Sequence, residues 1–174
     1  MDHQDHVTLI RAGVTGSTWA DFGSGGGAFT LALADVLAPD AVIYSVDRDG
    51  SALNQQRREM HAKFPTSTVT YLHADFTRKL DLPPLDGILM ANSLHFVKNK
   101  EATLELVRGY LKPEGKLLIV EYNTDRGNTW VPYPFSFGTW EQIAKKNGFH
   151  DTRLLHVRSS RFLDEIYSAL SMKT

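Results

Sequence analysis

Short runs of apolar residues alternate along this chain with longer segments in which apolar residues recur every three or four positions. The short runs are typical of buried strands and cover residues 19–22, 41–46, 69–73, 86–91 and 116–122. The periodic segments are typical of helices and cover residues 28–37, 50–64, 99–111 and a stretch that begins at 139. This regular alternation predicts an α/β fold with a largely parallel, doubly wound sheet covered by helices on both faces.

The last third of the chain has a less regular pattern. Thr139 and Gln142 have the spacing of a capping box, which predicts a helix that begins at Thr139 and ends before Gly148. Two extended stretches follow, around 152–158 and 161–170. The second of them fits a helix as well as a strand.

The most informative segment joins the first predicted strand to the first predicted helix and reads WADFGSGGGA, residues 19–28. Within it, Gly23, Gly25 and Gly27 occupy alternate positions. Glycine is favoured where φ is positive or where a ligand must approach the backbone closely, because a Cβ would clash there. The start of the following helix offers free N–H groups to an anionic group. The segment is therefore interpreted as a ligand-binding turn.

Two classes of ligand fit this turn. Gly23, Gly25 and Ala28 match the G-x-G-x-x-A fingerprint of dinucleotide-binding proteins. Asp21, taken with the three alternating glycines, resembles the acid-x-G-x-G-x-G pattern of class I S-adenosylmethionine-dependent methyltransferases. The choice between them depends on the rest of the chain.

Polar residues stand where the next three predicted strands end. Asp47 ends the second strand, Asp75 follows the third and Asn92 follows the fourth. In an open α/β sheet, ligands bind outside the carboxyl ends of the strands, where the strand order reverses. Asp47 lies 22 residues after Gly25, the separation expected for a carboxylate that accepts hydrogen bonds from ribose hydroxyls.

These motifs occur in the order found in class I S-adenosylmethionine-dependent methyltransferases, and the resemblance covers nearly the whole chain. It implies a mostly parallel seven-stranded sheet with an antiparallel C-terminal strand, and S-adenosylmethionine as the cofactor. It also implies that Asp47 binds the ribose, while Asp75 and Phe76 hold the adenine. The implied cofactor-binding residues are Asp21, Gly23, Ser24, Gly25, Gly27, Asp47, Arg48, Asp75, Phe76 and Asn92.

Two observations favour this cofactor over a dinucleotide. Asp21 precedes the first glycine by two positions, where a carboxylate suits a cationic amino group and would repel a pyrophosphate. A chain of 174 residues with one glycine loop leaves no room for a second nucleotide-binding half and a substrate domain. Arg48 departs from the family pattern, which often has an apolar residue here, although its aliphatic stem could pack on the adenine ring.

Composition narrows the class of protein further. The 174 residues are expected to form a single methyltransferase domain, 1–174. A formal net charge of −1 provides no basic field for a nucleic acid backbone, so no nucleic acid partner is expected. The absence of cysteine, of an N-terminal signal and of an apolar run of ~18 residues favours a cytoplasmic protein without a membrane partner.

The acceptor side of the site is less clearly marked. His95 follows the fourth strand and is the candidate catalytic base, because imidazole titrates near neutral pH. Tyr122 ends the fifth strand, and an aromatic-rich loop could bring Trp130 and Tyr133 over the site, so these three and His95 are candidate substrate-binding residues. No metal is expected, the acceptor is expected to be a small molecule, and a homodimer could complete its site.

The sequence thus predicts a methyltransferase that transfers a methyl group in line from S-adenosylmethionine to a small-molecule acceptor. Two alternatives remain open. An NAD(P)-dependent oxidoreductase would use Asp47 and the overlapping glycine pattern. A non-catalytic module would keep the S-adenosylmethionine pocket without turnover.

Overall fold

The computed structural model describes residues 1–174 and contains one sheet of seven strands with five α-helices. The strands are β1 Thr18–Phe22, β2 Val42–Asp47, β3 Thr68–His73, β4 Leu85–Ala91, β5 Leu111–Tyr122, β6 Phe149–Ser159 and β7 Glu165–Lys173. The helices are α1 His3–Ile10, α2 Ala28–Val36, α3 Gly50–Lys63, α4 Lys100–Tyr110 and α5 Phe137–Lys146.

The strand order is β3-β2-β1-β4-β5-β7-β6, and β7 runs antiparallel to both of its neighbours while the remaining pairs are parallel. The prediction of a mostly parallel, doubly wound sheet with an antiparallel C-terminal strand is therefore confirmed. The order reverses between β1 and β4, so a crevice opens where their carboxyl ends diverge. The ambiguous stretch 161–170 belongs mainly to β7, because insertion between β5 and β6 buries it on both faces.

Successive residues of the central strands face opposite sides of the sheet, and each side has its own apolar core. Phe22 of β1 and Ile88 of β4 lie in the core that α4 and α5 cover. Trp19, three positions before Phe22, and Leu89, one position after Ile88, lie in the core beneath α1 and α2. The central strands thus have apolar residues on both faces, which explains their nearly continuous apolar sequences.

One predicted helix start is wrong by two residues. The helix α5 begins at Phe137, and Ser136 is its N-cap residue, with an Oγ that accepts a hydrogen bond from the Thr139 N–H at 3.3 Å. Thr139 occupies the third helical position instead of the cap. Ser136 is the cap because it has the extended backbone angles of an N-cap residue. Asp125 holds it there, since the Asp125 carboxylate accepts hydrogen bonds from the N–H and the hydroxyl of Ser136.

None of the helices is both long enough and apolar enough to cross a membrane.

Candidate functional site

A cleft of about 500 Å³ opens at the carboxyl edge of the sheet, around the reversal point between β1 and β4. Each of the strands β1 to β4 contributes residues from the segment that directly follows it. The lining residues are Gly23, Gly25, Asp47, Arg48, Ala74, Asp75, Phe76, Thr77, Asn92, Ser93, Phe96 and Val97. Seven of the ten predicted cofactor-binding residues are among them, and the other three, Asp21, Ser24 and Gly27, are not.

The glycine loop turns sharply because three of its residues have positive φ angles. Gly23, Gly25 and Gly27 have φ values of 76°, 51° and 87°, which L-residues rarely adopt. A Cβ on Gly23 would strike Ser93 and the Phe76 ring, whereas a Cβ on Gly25 would point into open space at the cleft. The first glycine is therefore required by packing, and the second leaves its backbone open to a ligand.

Asp47 holds the glycine loop at the mouth of the cleft. Its Oδ2 accepts a hydrogen bond from the Gly25 N–H at 2.7 Å, and its Oδ1 accepts from the Asp49 N–H at 2.8 Å. Each carboxylate oxygen has two acceptor sites, so both keep capacity for the hydroxyl groups of a ligand. The half-buried carboxylate thus fits the ribose-binding role that its position in the sequence predicts.

Asp21 lies behind the loop, buried in the protein, and its Oδ2 accepts from the Thr30 hydroxyl at 2.7 Å. Burial raises the pKa of Asp21 to about 7, with a small further contribution from the negative charge of Asp47. Because loss of water disfavours the charged form of a carboxyl group, Asp21 is protonated in a substantial fraction of molecules at neutral pH.

Ser24 and Gly27 belong to the loop but contact α3 instead of lining the cleft. The Ser24 Oγ accepts a hydrogen bond from the Ser45 hydroxyl at 2.8 Å, and the Gln56 amide donates to the Gly25 carbonyl at 3.2 Å. A Cβ on Gly27 would overlap the Gln56 side chain. Gln56 in α3 therefore holds the loop in place. The polar sequence of that helix gives no sign of this role.

Asp75 and Phe76 form the wall of the cleft after β3. The Thr77 hydroxyl and N–H both donate to Asp75 Oδ1, at 2.7 and 2.9 Å, and they hold the pKa of Asp75 below its usual value. Its Oδ2 stays free to accept from an amino group. The Phe76 ring stacks on Phe22 with an interplanar angle of 14°, which fixes the orientation of the ring at the cleft.

Asn92 gives the clearest sign that the cleft is shaped for a polar ligand. Its backbone has a φ of 50°, unusual for a residue other than glycine, and its Oδ1 is buried without a hydrogen-bond partner. Buried polar atoms of native proteins nearly always have partners. An unpaired acceptor, an open glycine backbone and the free Asp75 oxygen together fit an adenosine-containing cofactor with amino and hydroxyl donors.

His95 is buried rather than displayed at the cleft, with 2% of its surface exposed. Its Nδ1 lies 2.6 Å from Oε2 of Glu121. The other oxygen of Glu121 accepts from the N–H groups of Leu94 and His95, at 3.1 and 3.2 Å. Glu121 thereby makes the Nδ1–H tautomer the favoured one and leaves Nε2 as the acceptor nitrogen.

The three aromatic residues proposed for the acceptor lie in different surroundings. Tyr122 is half-buried, with its ring 6.3 Å from that of His95. Burial, together with the nearby Glu121, raises the pKa of Tyr122. Tyr133 is held beside His95 by a hydrogen bond from its N–H to the His95 carbonyl at 3.0 Å, whereas Trp130 is 75% exposed. Neither Trp130 nor Tyr133 lines the cleft, and their role stays a prediction.

Tyr122 instead lines a second cavity of about 530 Å³ on the same edge of the sheet, formed by the start of α1, the end of β6 and the turn before β7. Arg161 and Phe162 of that turn line the same cavity. Neither residue stands out in the sequence, because the turn is brought beside β5 only by the antiparallel insertion of β7. No group of His, Asp or Glu side chains is arranged to bind a metal ion.

Comparison with known proteins agrees with this geometry. The family model described as a methyltransferase domain matches residues 20–117, more than half of the chain. The ubiquinone/menaquinone biosynthesis C-methyltransferase UbiE of Shewanella frigidimarina is 28% identical over 123 residues, which cover 70% of this chain and 49% of that protein. The chain thus spans about half the length of this relative.

Solved structures show the same fold at low sequence identity. A methyltransferase described as S-adenosylmethionine-dependent, from Aquifex aeolicus, superposes with a TM-score of 0.71 at 19% identity, covering 100% of both chains. The magnesium protoporphyrin IX methyltransferase of Synechocystis, solved with S-adenosylmethionine bound, superposes with a TM-score of 0.74 at 15% identity, covering 99% of this chain and 80% of that one. With the family match and the sheet order, these findings show that the chain belongs to the class I S-adenosylmethionine-dependent methyltransferases.

Proposed function

We propose that this protein transfers a methyl group from S-adenosylmethionine to a small-molecule acceptor. The observation that carries the proposal is the convergence of Gly25, Asp47, Asp75 and Asn92 on one cleft, with unpaired acceptor atoms on Asp75 and Asn92. Family membership favours this cofactor over a nicotinamide dinucleotide. When bound, S-adenosylmethionine supplies an electrophilic methyl group on a sulfonium.

The residues of the cleft would bind the cofactor in three parts. Asp47 would accept from the ribose hydroxyls, and the Asp75 Oδ2 would accept from the adenine amino group beside the Phe76 ring. Gly23 and Gly25 would place their backbone against the methionine part, with Asn92 Oδ1 as a nearby acceptor. Asp21 lies behind the loop, where its ionised form would stabilise a nearby cationic amino group.

His95 is the proposed catalytic residue for an acceptor that carries a proton. An acceptor hydroxyl or amine must lose a proton as it takes the methyl group, and a positioned base accelerates that step. Glu121 would act through His95 as a positioning residue, since it fixes the Nδ1–H tautomer from a fully buried position. In this proposal the proton goes to Nε2, the nitrogen that makes no hydrogen bond within the protein.

The remaining expectations about this protein are part of the same proposal. We infer that residues 1–174 act as a single methyltransferase domain, without a nucleic acid partner, in the cytoplasm. A homodimer would be one way to close the acceptor side. Analytical ultracentrifugation of the purified chain would test that assembly directly.

Calorimetric titration tests the proposed cofactor. S-adenosylhomocysteine and NAD are titrated in parallel into the wild-type chain, the Asp47→Ala variant and a control, Asp40→Ala, at an exposed acid outside the cleft. We expect only S-adenosylhomocysteine to bind, and Asp47→Ala to weaken it by roughly 100-fold, since hydrogen bonds to a charged group contribute about 1.5–3 kcal/mol. Binding of NAD alone would contradict the proposal. Cofactor binding without turnover of any acceptor would favour a non-catalytic module.

A further inference from the structure

The second cavity at the carboxyl edge is the part of the molecule that the proposed cofactor does not use. Its volume of about 530 Å³ lies within the range of small-molecule sites, which run from about 300 to 1,000 Å³. Its lining includes Tyr122 at the end of β5, Phe162 of the β6–β7 turn, and Asp2 and Asp5 at the N-terminal end of α1. Since β5 is the strand next to β4, the cavity lies beside the cleft along the same edge.

A row of aromatic rings connects the cavity with the cofactor cleft. The Phe162 ring meets the Tyr122 ring edge-to-face at a centroid distance of 5.5 Å. The Tyr122 ring lies 6.3 Å from His95, and His95 lies 4.3 Å from Phe96, which lines the cleft. A flat molecule in the cavity would therefore lie along aromatic surfaces that lead past His95.

Of the two arginines that line the cavity, one has no charged partner. Arg158 forms an ion pair with Asp5, and the Asp2 side chain is engaged as the N-cap of α1, where it accepts from the Asp5 N–H at 2.9 Å. Arg161 is exposed and makes neither an ion pair nor a hydrogen bond. The Tyr122 hydroxyl also has no partner in the protein, and its raised pKa keeps it a hydrogen-bond donor at neutral pH.

The turn that carries Arg161 is held in an unusual conformation. Leu163 and Asp164 are consecutive non-glycine residues with φ values of 55° and 59°, a region of backbone conformation that L-residues rarely adopt. The turn is fixed by hydrogen bonds from the Ser160 N–H to the Asp164 carbonyl at 2.7 Å and from the Ser160 hydroxyl to the Phe162 carbonyl at 2.6 Å. A strained backbone is retained where surrounding contacts hold it in place. Here the hydrogen bonds of Ser160 hold the turn, and the turn fixes the position of Arg161 and Phe162 at the cavity.

We propose that this cavity binds the methyl acceptor, and that the acceptor is a flat small molecule with an anionic group, a carboxylate or a phosphate, which Arg161 binds. This inference rests on the proposed function. The planar guanidinium of arginine matches both anions through paired N–H donors. The Tyr122 hydroxyl would donate a further hydrogen bond, and the rings of Tyr122 and Phe162 would contact the flat part of the molecule.

Nuclear magnetic resonance titration of the S-adenosylhomocysteine-loaded chain tests this site. The probes are benzoate, phenyl phosphate and neutral benzamide, added to the wild type, to Arg161→Gln and to Arg153→Gln, a control at an exposed arginine of β6 outside the cavity. We expect one or both anions to shift the resonances of Tyr122 and Phe162. We expect benzamide to bind at least tenfold more weakly, and Arg161→Gln to remove that difference while Arg153→Gln keeps it.

The two anionic probes distinguish a carboxylate site from a phosphate site by their relative affinity. Equal binding of benzoate, phenyl phosphate and benzamide would overturn the inference, as would anion binding that survives Arg161→Gln. Shifts confined to the amides of Gly25 and Asp47 would also overturn it, because they would place the probes in the cofactor cleft. Failure of S-adenosylhomocysteine to bind the wild type would instead overturn the proposed function, so the two failures are distinguishable.

Discussion

The two halves of the carboxyl edge are built in different ways. In the proposed cofactor half, Gly25, Asp47 and Asp75 each lie at or just after the end of one parallel strand, and hydrogen bonds join these strand ends to one another. In the proposed acceptor half, Tyr122 lines a cavity together with residues at the start of α1 and in the β6–β7 turn, which come from opposite ends of the chain. The first half is set by strand ends that parallel pairing brings together, and the second by contacts across the full length of the chain.

Because the two halves are built differently, they should tolerate different amino-acid substitutions. The cofactor half depends on backbone conformation and on buried polar atoms, where an added methyl group or a lost charge has large effects. The acceptor half presents exposed rings and an unpaired arginine, where substitutions should change ligand preference and leave folding nearly unchanged. The following predictions test this contrast, from the largest expected effect to the smallest.

The largest loss of stability is expected for Gly27→Val in the cofactor half. The residue has a φ of 87°, and a side chain there would overlap Gln56. A left-handed non-glycine residue and overpacking each cost about 1–3 kcal/mol, so unfolding free energy should fall by about 4 kcal/mol. Chemical denaturation measures the change. Gly26→Ala is the control, since no atom lies within 4 Å of its Cβ position; equal losses in both variants would contradict the packing argument.

The buried Asp21 should make stability depend on pH. Its pKa is raised from 3.8 to about 7 in the folded state, so between these values the folded chain binds more protons than the unfolded chain. Stability should therefore fall as the pH rises from about 4 to about 7, by as much as about 4 kcal/mol from this group. Denaturant titrations across that pH range should show that the unfolding free energy of Asp21→Asn depends less on pH than that of the wild type. If the unfolding free energy of the variant changes with pH as steeply as that of the wild type, a group other than Asp21 causes the pH dependence.

Glu121→Gln tests the link between the two halves, because Glu121 holds both His95 and the loop after β4. The variant keeps the size of the side chain but loses the charge that three hydrogen bonds share. We expect a loss of about 2 kcal/mol in unfolding free energy, together with a mixed His95 tautomer by ¹⁵N nuclear magnetic resonance. Glu105→Gln, at an exposed acid of α4, should show neither effect. A His95 tautomer that is unaltered in Glu121→Gln would exclude the positioning role.

The smallest effect on stability is expected for Trp130→Ala in the loop after β5. The side chain is 75% exposed, so its removal should change the unfolding free energy by less than about 0.5 kcal/mol. Phe135→Ala, five positions along at a buried site, should cost about 3–5 kcal/mol. Thermal and chemical denaturation of the two variants would compare them directly, and a large loss for Trp130→Ala would mean that this ring packs against the protein in solution.

The sequence by itself determined the order of strands and helices along the chain, the glycine loop and the acids at the ends of the second and third strands. These features are local, and parallel strands bring their carboxyl ends to one edge whatever the details of packing. Asp47 was therefore placed at the cleft by its position at the end of the second strand and its spacing from Gly25, and the structure joins the two residues by a hydrogen bond of 2.7 Å.

Only the tertiary structure decided which of these groups are buried and what they meet. Asp21 faces Thr30 behind the loop, His95 is held by Glu121 26 residues later, and Ser136 displaces Thr139 as the cap of α5 because Asp125 orients it. Arg161 reaches the cavity beside Tyr122 because β7 enters the sheet antiparallel to β5. Burial and long-range contacts depend on the whole packed chain, so spacing along the sequence does not encode them in any local pattern.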